Sequence, residues 1–136
     1  MRRLRTLFLY LWVLPATAVG LVLALLARIG GATAVVVDGV IEVAGGRVGR
    51  VISALPPRFR FSAITFGHVV IGVSHPVLNG CRAHERVHVR QYERWGVLFF
   101  VLYLGSSTLE ALRGRNPYWD NHFERQAREQ AARAWS

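Results

Sequence analysis

The chain has 136 residues and a mass of 15.2 kDa, room for one small domain and no second catalytic one. Seventeen Arg, no Lys and eight acidic residues give a net charge of +9, but the cations are spread along the chain instead of clustering on a soluble face, which argues against nucleic acid as a partner. A hydrophobic fraction of 52% with a mean hydropathy of +0.28 excludes a disordered basic tail, and the interspersed charges exclude a multi-span transporter.

Arg2, Arg3 and Arg5 precede an uncharged run from Thr6 to Ala27, 22 residues rich in Leu, Val and Ala. As a helix this run measures roughly 33 Å, the thickness of a bilayer core. Residues 1–28 are therefore expected to form a transmembrane anchor, with residues 29–136 as the domain it carries. Pro15 would kink the span without forbidding it. Ala16-Thr17-Ala18 has the small-x-small form of a signal-peptide cleavage site, so removal of the segment stays open, although the apolar run continues past it to Ala27. Three Arg before the run, against Arg28 and Arg47 after it, favour a cytoplasmic N-terminus and a domain on the outer face, in contact with membrane lipid.

Residues 35–43 read as two β-branched runs joined by Asp38-Gly39, a dipeptide suited to a two-residue hairpin turn. Gly45-Gly46 breaks the hairpin, Val48 to Leu55 fits a helix or a strand, and Pro56-Pro57 ends that segment. Phe59 to Thr65 and His68 to Val73 read as neighbouring strands around a Phe66-Gly67 break. Ser74 to Gly80, with Pro76 and Asn79-Gly80, reads as a loop leading into a helix. No internal repeat is present.

Cys81 to Arg94 is free of Gly and Pro and suits a helix. Within it stands His84-Glu85-Arg86-Val87-His88, an H-E-x-x-H pattern. Residues four apart on a helix differ by about 40° in azimuth, so both imidazoles can face one metal ion, while Glu85 reaches the water that the metal activates. With Cys81 as the only cysteine, a disulfide within the chain and a four-cysteine zinc site are both excluded, so any metal is held by His and carboxylate. Neutral imidazoles bind Zn²⁺, and a neighbouring carboxylate can take the proton of its water, which suits amide hydrolysis.

A third ligand must come from outside the motif. Gln91 and Arg94 stand where the extended H-E-x-x-H-x-x-G-x-x-H motif has Gly and its third His, which excludes that class. Glu93 sits about 140° round the helix from His88 and faces away. Glu110 and Glu124 remain, and Glu124 is preferred, because Glu110 belongs to a strongly apolar stretch where it can pair with Arg113 or face lipid headgroups. Glu124 opens a final helix from about His122 to Trp135. It also has a plainer reading as the partner of Asn121 in a capping box, or of Arg128 in a four-apart ion pair. Asp120 and His122 are lesser candidates, and His68 and His75 could approach from the preceding strand and loop. Between the motif and the final helix, Gly96 to Leu109 is short for a crossing and reads as a buried helix behind the metal-site helix. An interfacial or re-entrant segment is the next reading.

His84-Glu85-x-x-His88-Val89-x-Gln91, a following hydrophobic helix, and Asn121-x-Phe123-Glu124-x-x-Ala127 together resemble the short zincin-type metallopeptidase domains of the gluzincin group, over roughly residues 60–130. The resemblance implies an α+β fold, with a few strands and the H-E-x-x-H helix packed on C-terminal helices. It implies His84, His88 and Glu124 as Zn²⁺ ligands, Glu85 as general base, and a peptide or protein substrate. Arg86 departs from the group, which has uncharged residues at the two middle positions, and no certain His or Tyr is present to stabilise the tetrahedral intermediate, Tyr118 and His122 being nearest in sequence. The expectation is a membrane-anchored zinc metallopeptidase. The alternative is a non-catalytic membrane protein that keeps a structural or sensory metal site.

Overall fold

A computed structural model of the chain describes residues 1–57 and 61–134 as a mixed α+β fold. The Asp38-Gly39 turn forms as expected, joining β1 (Thr33–Val37) to β2 (Val40–Ala44) in antiparallel register, with Val37 opposite Val40. Asp38 and Gly39 have φ of 49° and 77°, the pair of positive values that a primed turn demands. The ambiguous segment after the hairpin is a helix, α3 (Gly46–Ala54), which stops ahead of Pro56-Pro57. β3 (Ala63–Phe66) and β4 (Val69–Gly72) follow as an antiparallel pair; the start of the expected strand at Phe59 lies outside the described residues. β4 pairs in parallel with β2, so the sheet order is β1-β2-β4-β3 and β3 is an edge strand.

Two helices open the chain: α1 (Arg2–Trp12) and α2 (Leu14–Ile29). The expected single span over Thr6–Ala27 is not one continuous helix, because the run breaks at Val13, next to Pro15 in the first turn of α2, and its halves are bent by 67°. No described helix by itself is long and apolar enough to cross a membrane. One side of α2 lies on the sheet through Gly20, Ala24 and Ala27, small residues recurring every three or four positions, and Ala16 continues that side toward Tyr92 and Phe99. The approach is close: a Cβ on Gly20 would come within 2.7 Å of Val69 Cβ and 2.9 Å of Phe66 O, so only glycine fits. Ala24 and Ala27 pack with Ala32, Val43, Val69 and Ile71, all buried.

The opposite side of the sheet receives α4 (His75–Trp95), with Val40, Ala44 and Val70 against Leu78 and Val89. The alternation of β4 explains the split, since Val69 and Ile71 face α2 while Val70 faces α4. This helix begins six residues earlier than Cys81. Ser74 caps it by accepting from Val77 N at 3.3 Å, and Pro76 sits in its first turn where no N–H is needed, so the expected loop around Asn79-Gly80 is helical.

Beyond α4 lie α5 (Leu98–Leu112) and α6 (His122–Ala134); the expected end of the last helix at Trp135 lies outside the described residues. Phe99 and Phe123 bury against Tyr92 of α4 and against Val13 and Ala16. The apolar stretch expected as a buried helix is buried on one side only: Phe99 turns inward while Val101 and Leu104 are 69% and 64% exposed.

Candidate metal centre

The site lies between α4, α5 and α6. His84 and His88, one turn apart on α4, turn their Nε2 atoms to one oxygen of Glu124 on α6, at 3.0 and 3.2 Å from Oε2. The two imidazole rings stand 5.0 Å apart, at 75° to one another. One donor atom from each of the three residues lies within 4.8 Å of the others, so His84, His88 and Glu124 form a group that can hold a metal ion. Glu124 and His88 are buried, and His84 is partly exposed.

Two of the three, His88 and Glu124, are fixed by neighbours outside the group. His88 Nδ1 lies 2.8 Å from Gln91 Oε1. The orientation of that amide follows from its other end, where Gln91 Nε2 donates to Phe123 O at 3.1 Å and to Gln126 Oε1 at 2.7 Å. Gln91 Oε1 therefore accepts the Nδ1 proton, and in a neutral imidazole Nε2 then carries only a lone pair. Yet this same Nε2 faces a carboxylate oxygen. Two acceptors on one neutral imidazole leave a place for a cation, either a proton or a metal ion. Burial works against a charged His88, but the hydrogen bond and charge of Glu124, with the charge of Glu85, outweigh it and raise His88 above its ordinary value.

Glu124 is held from three directions. Its Oε1 accepts from Tyr103 of α5 at 2.6 Å, and its Oε2 faces both imidazoles. Burial alone would raise its carboxyl, but the hydrogen bonds from His84, His88 and Tyr103 and the His88 charge hold it well below the usual range. Asn121, fully buried, places the first turn of α6. Its Oδ1 accepts from Phe123 N at 2.8 Å and Glu124 N at 3.4 Å, while its Nδ2 donates to Tyr103 O and Ser107 Oγ. Asn121 thus caps the helix as expected. Glu124 does not close a capping box, and Arg128, its expected ion-pair partner, packs over the Trp119 ring instead.

Glu85 is buried beside the group and outside it. Its Oε2 accepts from Thr65 Oγ1 of β3 at 2.7 Å, which anchors one of its oxygens. Cys81 is not a member of the group, and burial with the Glu85 charge pushes its thiol up to about 11.

The remaining candidates are elsewhere. Glu110 is buried but engaged by Arg115 at 3.1 Å and Arg113 at 3.6 Å. Glu93 faces away, as its azimuth requires, and pairs with His68 at 2.9 Å. His75 contacts Thr33 Oγ1 at 2.7 Å, Asp120 accepts from Asn116 N at 2.9 Å, and His122 is exposed. Arg86 turns from the site to the opposite side of α4, where it and Arg82 share the buried carboxylate of Glu42. Sequence reasoning missed Thr65 and Tyr103, which lie on other elements with no local motif to mark them. Gln91 was not given this role either, although its place three residues after His88 on the same side of the helix marks it. Comparison with family models, with curated proteins and with solved structures finds no match for this chain.

Proposed function

We propose that the chain is a zinc-dependent hydrolase of peptide bonds, with His84, His88 and Glu124 as metal ligands and Glu85 as general base. The observation that carries this reading is His88, whose two ring nitrogens both face oxygen acceptors in a buried site that also contains a carboxylate and a second imidazole. Two imidazoles and one carboxylate are the donor set of catalytic zinc, and a tetrahedral site with bonds of about 2.0–2.1 Å separates its donors by roughly 3.3 Å. The 3.0 and 3.2 Å separations already present need little adjustment to match it. When bound, zinc would polarise the scissile carbonyl and acidify a water.

The protein groups have separate tasks. Gln91 keeps the His88 lone pair on Nε2, and Tyr103 with Asn121 orients Glu124. Thr65 pins one oxygen of Glu85, so that the other takes the proton from water and passes it to the leaving amine. The edge position of β3 supports a peptide substrate, since an extended chain added along that strand would pass Glu85.

The test uses the purified full chain with zinc and an unfolded protein substrate. Wild type is expected to cleave it, and Glu85→Gln is expected to keep its zinc and lose turnover. Zinc retained by a wild-type chain that cleaves nothing would overturn the catalytic reading and leave a structural or sensory metal site.

A further inference from the structure

A large apolar surface of the molecule has nothing packed on it. No residue of α1 is buried, and Leu7 and Leu11 are 56% and 60% exposed. The outer side of α2 carries Leu25 at 64%, and that of α5 carries Leu98 and Val101 at 56% and 69%. The Trp12 ring at the end of α1 lies against Gly96, at the junction of α4 and α5, and Val13 and Ala16 at the start of α2 pack with Phe99 of α5. Scattered apolar residues on a surface need no explanation, but three helices with outward Leu and Val, packed on one another at their ends, do.

Charge identifies what covers the surface. α1 and α2 carry Arg2, Arg3, Arg5 and Arg28 and no acid; the first acidic residue of the chain is Asp38. The one acid of α5, Glu110, is buried and neutralised by Arg113 and Arg115. The three helices therefore present apolar and cationic side chains and no exposed acid of their own. A second copy docked on it would bring arginines against arginines with no counter-charge, whereas a bilayer with anionic headgroups satisfies both the Leu and Val side chains and the guanidinium groups. Trp12 and Trp95 sit at the junction, and such ring systems favour the water–lipid boundary.

We infer that the chain seats on an anionic bilayer through the outer sides of α1, α2 and α5, lying in the interface, with the sheet and α4 above it. The bend of 67° between α1 and α2 suits such a seat, because it lets two short helices spread along the headgroups. Tyr103, on the inward side of α5, reaches Glu124, so the metal centre stands about one helix diameter, roughly 10 Å, from the lipid. The seat needs nothing from the metal, and a zinc-free chain would bind equally.

Flotation of the full chain with vesicles tests this. Wild type is expected to rise with vesicles of phosphatidylcholine and phosphatidylglycerol, and less with phosphatidylcholine alone, the difference shrinking in high salt. Replacing Arg2, Arg3 and Arg5 by Gln is expected to weaken binding to the anionic vesicles roughly a hundredfold. Leu98→Glu with Val101→Glu is expected to weaken it about tenfold or more, and Leu7→Glu with Leu11→Glu repeats the reading on a helix with no buried residue. Folded protein that floats with neither vesicle would overturn the inference. So would a discrete dimer in solution that Leu98→Glu with Val101→Glu dissociates, since the face would then belong to a second copy.

Discussion

The Nδ1 proton of His88 is donated to Oε1 of Gln91 at 2.8 Å, three residues further along the same helix, and this bond decides which nitrogen His88 offers to Glu124. Gln91→Leu would leave the ring free to choose its tautomer and to rotate. Zinc affinity is expected to fall about 10- to 100-fold, read by competition with a chromophoric chelator. Unchanged affinity would mean that the amide has no part in orienting the ligand.

Tyr103→Phe removes the 2.6 Å bond to Glu124 Oε1 and nothing else from the site. A hydrogen bond to a charged group contributes about 1.5–3 kcal/mol, so zinc is expected to bind about tenfold more weakly, while the Phe ring keeps its packing against Phe99 and Phe123. The same competition assay measures it.

Thr65→Val is close in volume and deletes the hydroxyl that holds Glu85. If Glu85 is the general base, kcat is expected to drop about tenfold with zinc content and KM little changed. Loss of zinc in this variant would show instead that Thr65 supports the ligands.

On the far side of α4, Glu42 joins β2 to Arg82 and Arg86 through bonds of 2.8 to 3.1 Å, and Arg86 also donates to Val37 O. The hydrogen bond from Arg82 lowers the Glu42 carboxyl below its ordinary 4.5, against the opposing effect of burial. The stability this contributes is fully present above about 4.5, the value in the unfolded chain, and is lost as pH falls through the lower folded value. Glu42→Gln strands the Arg86 charge and is expected to cost about 3 kcal/mol in denaturant unfolding at pH 7, with a shallower acid dependence than wild type.

Local chemistry made much of this legible in the sequence. Asp38-Gly39 specified its hairpin because few other dipeptides take two positive φ angles, and His84 and His88 met because helical spacing leaves them no other arrangement. The preference for Glu124 over Glu110 rested on the apolar surroundings of Glu110 and on nearby Arg113; the structure puts Glu124 beside His84 and His88 and engages Glu110 with Arg113 and also with Arg115. Contacts from distant elements were not legible. Thr65 reaches Glu85 across twenty residues of chain, and Tyr103 meets Glu124 only because α5 folds back at 117° to α4. The apolar run at the N-terminus was legible as helix with a kink near Pro15, but not the size of the 67° bend, nor the fit of the small side of α2 to the sheet, which depends on strands far along the chain. Arg86, a departure from the zincin pattern, is explained by Glu42, which no spacing rule connects to it.

Metal content of the purified chain tests the central claim most directly, measured on wild type, Glu124→Ala and Glu110→Ala after identical preparation. Stoichiometric zinc in wild type and in Glu110→Ala, with almost none in Glu124→Ala, is the predicted result. Zinc absent from folded wild type that has been offered it, or retained in full by Glu124→Ala, would contradict the account.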